Sequence, residues 1–230
     1  MTLVFIGHYG IALGLKKYAP GISLGFLFIA VQLVDIAFFI FLPLGIENAR
    51  IAPGFTAANS FDLYDLPITH SLVGSLAWTA AVFLFVRYIA LRSSTATAAY
   101  KNRTALLFGV GVLSHYLLDF LVHTPDLLLI PGIDMKIGLG LWNSIPATIL
   151  LETIILLGGG LIYFYSTTSG TGLLGKYGIS AFLFALVIFI IITPFQTFPD
   201  MLTVALVSEI LYALFALVAF WLDSRRTIIL

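Results

Sequence analysis

The chain has 230 residues, 60% of them hydrophobic and 10% charged, with a mean hydropathy of +1.09. That composition excludes a soluble globular domain and describes an integral membrane protein. A formal net charge of zero leaves no basic surface for nucleic acid, and the lack of Cys excludes disulfides, thiolate metal sites and Cys nucleophiles.

Apolar stretches fall at residues 3–15, 21–44, 67–91, 104–123, 141–166, 177–196 and 200–223. The first is shorter than the roughly 20 residues a span requires. It predicts a short membrane helix held among the others, where irregular membrane elements are tolerated. The remaining six predict full spans. The expected fold class is therefore all-α: one polytopic transmembrane helical bundle over residues 1–230, with six full spans plus a short N-terminal membrane helix. Pro20, Pro67 and Pro199 read as helix starts, whereas Pro146 and Pro194 predict kinks inside or near the ends of spans. No basic residue precedes the first apolar run and Lys16-Lys17 follow it, so a cleaved signal peptide is not expected.

Basic residues sort by connection. Lys16, Lys17, Arg87, Arg92, Lys101, Arg103, Lys176, Arg225 and Arg226 fall at one set of span ends, and only Arg50 and Lys136 at the other. This bias predicts a multi-pass protein of the cell membrane with a cytoplasmic C-terminus and with the 45–66 and 124–140 loops outside. Trp142 and Tyr64 are expected at the outer interface.

Against this apolar background the segment Leu113–Asp126 carries His115, Asp119, His123 and Asp126 at offsets 0, 4, 8 and 11. At about 100° per residue, a helix would hold all four within an arc of roughly 80°. With a rise of about 1.5 Å per residue from Arg103, His115 lies roughly 18 Å up, Asp119 about 24 Å and His123 near 30 Å. On three other segments Asp35, 14 residues beyond Gly21, lies roughly 21 Å above the inner face and His8 and Glu152 fall near mid-depth, and His70 opens the third span at its outer end. Charged groups inside a bilayer cost several kcal/mol unless partnered, so their gathering at one depth marks a functional site.

Plainer roles compete for some of these residues. A lone His in a membrane helix often serves as a packing group with a hydrogen bond, which is the plainer role for His8. Asp35 fits a Lys pair or a cap at a helix break, and His123 and Asp126 fit capping at the water interface. Thr69 and Ser71 fit helix-start caps, and Asp62 and Asp65 fit a solvated loop. His115 and Asp119 are different. They share a face in mid-span, and no Lys or Arg in that span neutralises the acid. A metal ion held by imidazole and carboxylate at i, i+4 answers that problem.

Gly7-His8, Asp35, Thr69-His70-Ser71 and Ser114-His115 with Asp119 occur in an order and spacing that resembles the YdjM-like integral membrane proteins, known as membrane-bound metal-dependent hydrolases. The resemblance covers about the first 130 residues, and the Gly140–Ser144 and Pro146–Glu152 stretches are similar to a bacterial subgroup. Two positions depart from it. Leu33-Val-Asp-Ile36 stands where many members carry Pro-Asp-x-Asp-His, and Leu66-Pro67 stands where they carry His-Arg before Thr-His-Ser. The family is in turn distantly similar to zinc-dependent phospholipase C and single-strand nucleases, which implies phosphoester hydrolysis.

Together these readings predict a metal site in the outer half of the membrane. The expected ligands are His8, Asp35, His70, His115, Asp119 and His123, with Glu152 and Asp126 as catalytic carboxylates. Nitrogen and oxygen donors without thiolate suit Zn, with Mn or Fe as further choices. The expected partner is a membrane lipid or other amphiphilic substrate, and no nucleic acid. Two other classes use the same residues: a metal-ion or proton transporter in which they form a relay, and a non-catalytic protein with one structural metal.

Overall fold

The computed structural model describes residues 6–229. Seven α-helices dominate it: α1 (His8–Lys16), α2 (Leu24–Phe41), α3 (Leu72–Phe85), α4 (Ala98–Val122), α5 (Ile145–Ser166), α6 (Gly172–Ile192) and α7 (Met201–Asp223). Six are long and apolar enough to cross a membrane, and α1, with nine residues, is not. The protein is a multi-pass all-α bundle carrying one short buried helix.

Hydroxyls cap the starts of three helices. Ser23, Ser71 and Thr97 cap α2, α3 and α4 by accepting the backbone N–H groups of Gly25, Gly74 and Tyr100. Pro146 lies in the first turn of α5, and Pro194 in a short 3₁₀ turn after α6. Neither sits in a helix interior, because a proline's missing N–H costs least at a helix boundary.

The bundle has two distinct ends. At one, Lys16 pairs with Asp223 at 2.8 Å, Leu24 N–H donates to Asp223, and Thr167–Ser169 pairs with Arg226–Ile228 as a two-stranded sheet. Gly21 lies against the Tyr100 hydroxyl there, which brings in the start of α4. This is the basic end. At the opposite end β1 (Asn48–Ile51) and β2 (Phe61–Asp65) form an antiparallel hairpin, joined by the small β3–β4 pair (Leu127–Leu128 with Lys136–Ile137). Asp62 pairs with Arg50 at 2.6 Å and Asp65 accepts from Asn48, so these acids serve the hairpin. Trp142 is buried against His123 with ring centroids 4.2 Å apart, so the expected interfacial anchor is an inner packing residue.

Two glycines fix the depth of α1. A Cβ on Gly159 would strike the carbonyl of Gly10, and one on Gly10 would strike the carbonyl of Ile155. Only bare backbone lets α1 and α5 cross this closely, and the crossing carries His8 into the interior.

Candidate metal centre

α4 supplies the central pair. His115 and Asp119 lie one turn apart and are 1% and 3% exposed. The helix ends at Val122: His123 is its C-cap in an extended conformation, and Pro125 blocks continuation. Asp126 therefore comes from the following turn and not from the helical face on which the sequence pattern put it. Its carboxylate accepts from His123 Nδ1 at 2.8 Å and from the Thr124 hydroxyl at 3.0 Å.

Asp119 is the hub. Its Oδ2 lies 3.1 Å from His115 Nε2 and 3.6 Å from His70 Nε2. Its Oδ1 lies 3.5 Å from His8 Nε2 and 4.0 Å from His123 Nε2. All four histidines of the chain thus present Nε2 to one carboxylate. Asp35 of α2 closes the other side, with Oδ1 3.2 Å from His70 Nε2 and 3.3 Å from His115 Nε2, and with Oδ2 accepting from the Tyr212 hydroxyl of α7 at 2.8 Å. Its side chain, at 16% exposed, is the most accessible of the six.

The backs of the rings are held as well. His115 Nδ1 lies 2.8 Å from the Val31 carbonyl, and His70 Nδ1 2.7 Å from the Thr69 hydroxyl. A carbonyl only accepts, so His115 Nδ1 carries a proton. In the neutral ring, Nε2 then turns a lone pair toward two carboxylates. His115 Nε2 and Asp119 Oδ2 are close but not aligned for a hydrogen bond, and both are buried without a hydrogen-bond partner. Such an arrangement is unfavourable unless a positive charge lies between them.

The donor set fits a metal ion in both chemistry and spacing. Two groups, His8–His115–Asp119 and Asp35–His70–His115, each offer ligand atoms lying within 4.8 Å of one another. Around Asp35 Oδ1, His70, His115 and Asp119 Oδ2 the four close donor separations run from 3.1 to 3.6 Å. Ligands at 2.0–2.2 Å in a tetrahedron are about 3.3–3.6 Å apart, a spacing that neighbouring donors meet, while Asp35 and Asp119 belong to different groups that share His115. Imidazole held at Nδ1 by a carbonyl, hydroxyl or carboxylate is also the usual way protein metal ligands are oriented.

Glu152 is placed differently. It is buried on α5, and its Oε2 accepts from the backbone N–H of Gly7 at 3.4 Å, just ahead of His8. Two participants carry no sequence signal. Glu47 is fully buried between α2 and β1, accepting from the N–H groups of Ile68 and Thr69 and from the Thr69 hydroxyl. Tyr212 lies 177 residues from the carboxylate it serves. Thr69, expected as a helix cap, links Glu47 to His70, while Ser71 does cap α3.

No protein-family model, no curated protein and no solved structure matches the chain.

Proposed function

We propose that the protein is a membrane-embedded metal-dependent hydrolase, of the YdjM-like kind its motifs resemble, acting on a phosphoester in a lipid or other amphiphile. The observation that carries the metal is the His115–Asp119 pair, two buried ligand atoms that face each other with no hydrogen bond. Asp35, His70 and His115 form one donor group and His8, His115 and Asp119 a second that shares His115, and His123 approaches the same oxygen of Asp119 as His8. Zinc suits these nitrogen and oxygen donors best. When bound, such an ion lowers the pKa of its water to near 7 and stabilises charge developing on a phosphoryl oxygen.

The chain's own groups would complete the site. Asp126 orients His123 through Nδ1 and so holds Nε2 toward Asp119 as a further metal donor. Glu152 holds the start of α1 at Gly7 and so sets where His8 reaches; it and Asp126 are the two carboxylates proposed to serve proton transfer. An amphiphilic substrate is favoured by the surroundings. An apolar groove of about 410 Å³, lined by residues including Pro67, Ile68, Gly74 and Trp78, runs beside Thr69-His70 along α3.

The test is His115→Ala, read by metal content, melting temperature and phosphodiesterase or lipid-hydrolase activity. Asp119 is then free to bury itself as the neutral acid, which is far cheaper than a carboxylate. The expected protein is folded, metal-poor and inactive. Full metal occupancy in the variant would remove His115 from the ligand set, and a collapse of stability with metal loss would indicate a structural ion instead.

A further inference from the structure

We infer that Glu47 is a positioning residue: through the Thr69 hydroxyl it fixes which nitrogen of His70 carries the proton, and thereby keeps His70 Nε2 available as a donor atom. This inference deepens the metal reading above and rests on it for its consequence, though not for its geometry.

The donors can be counted along the chain of contacts. Glu47 Oε1 accepts from Ile68 N–H at 2.7 Å and from Thr69 N–H at 2.8 Å. Its Oε2 lies 2.5 Å from the Thr69 hydroxyl oxygen. A carboxylate has only acceptors, so the single hydroxyl proton of Thr69 goes to Glu47. The same hydroxyl oxygen lies 2.7 Å from His70 Nδ1 and has no further proton to donate. His70 Nδ1 must then be the donor, which leaves Nε2 as the nitrogen a metal can take; in the metal-free site Nε2 is hydrogen-bonded to the Asp35 carboxylate at 3.2 Å, with Asp119 at 3.6 Å. The hairpin explains how a residue so far upstream arrives here: Asn48 is paired with Asp65, which folds Glu47 back onto the Leu66–Thr69 segment. Thr69 is fully buried and Glu47 likewise, so water has little access to replace either contact.

Glu47→Gln inverts the last link. The amide oxygen is needed by the two backbone N–H groups, so the NH₂ group meets the Thr69 hydroxyl as a donor. Thr69 then turns its proton onto His70 Nδ1, and the ring carries its proton on Nε2, where it blocks metal binding.

Two readouts on the full chain in detergent micelles test this. The first is the pair of ¹⁵N shifts of His70 in metal-free protein labelled at histidine, assigned by the signal lost in His70→Gln. The second is Zn²⁺ affinity by competition with a chromophoric chelator. Wild type should show a protonated Nδ1, and Glu47→Gln an unprotonated Nδ1 with Zn²⁺ binding about 10- to 100-fold weaker. Thr69→Ser should retain the wild-type tautomer and affinity, and Thr69→Val should lose affinity to a similar degree. Should Glu47→Gln fail to fold, the two Thr69 variants decide: equal affinity in Thr69→Val and wild type overturns the role of the relay. A His70 that keeps one tautomer and one affinity in both wild type and folded Glu47→Gln overturns it too. If wild type binds no Zn²⁺ at all, the metal reading fails, and the tautomer switch still decides the role of Glu47.

Discussion

Asp119 meets the Nε2 atoms of four histidines with its two oxygens, whereas Asp126 touches only His123 among them. Their substitutions should differ accordingly. Asp119→Asn keeps the volume but replaces one acceptor with an NH₂ donor aimed at imidazole lone pairs, so Zn²⁺ binding should be lost. Asp126→Asn acts through His123 alone and should weaken binding by about 10- to 100-fold. A titration of both variants against a competing chelator checks the order, and equal losses would contradict it. At this scale the sequence is legible where geometry is local. His115 and Asp119 are one helical turn apart, and that spacing alone puts them on one face. Glu47 is invisible because its partners lie 21 and 22 residues away, across a hairpin whose register no local periodicity reveals. Asp126 illustrates the opposite error. Its offset fits the helical face, but Pro125 ends the helix first and delivers the carboxylate to the ring from a turn.

Helix placement rests on two contacts that differ in kind. The α1–α5 crossing depends on Gly10 and Gly159 having no Cβ. Gly159→Ala forces the two backbones apart and should destabilise the protein by about 1–3 kcal/mol, as overpacking does. It should also weaken metal binding by withdrawing His8. Gly158→Ala is the control, since a Cβ there meets nothing within 4 Å. Comparable melting temperatures for the two variants would show that the crossing does not depend on close approach. The second contact is the Lys16–Asp223 pair, buried at the basic end with side chains 5% and 8% exposed. Asp223 also accepts from Leu24 N–H and the Tyr163 hydroxyl, tying α1, α2, α5 and α7 together. Lys16→Met leaves that carboxylate buried without its cation and should cost about 3–5 kcal/mol in denaturant unfolding. Hydropathy predicts where these helices run. It carries no information on the pairing of a lysine at residue 16 with an acid at residue 223, since that depends on how the helices are arranged around one another.

For the whole molecule, composition and apolar run lengths suffice to give six spanning helices and one short buried one, because length against bilayer thickness is nearly all that decides a span. The small hairpins at the loop-rich end escape such a reading, being only two to five residues long per strand. The basic end gathers nine of the eleven Lys and Arg residues. Positive residues favour the cytoplasmic side, so a reporter fused after Arg226 should behave as cytoplasmic. A reporter active only on the far side would invert the bundle and move the His/Asp cluster to the inner half of the membrane.

The buried cluster is expected to hold a divalent metal ion, and crystals of the purified protein soaked in Zn²⁺ and measured at the zinc absorption edge would show it. An anomalous peak should lie about 2.0–2.2 Å from His115 Nε2 and from a carboxylate oxygen of Asp119. Zinc found only at surface positions, with the cluster closed by protons between its histidines and aspartates, would contradict it.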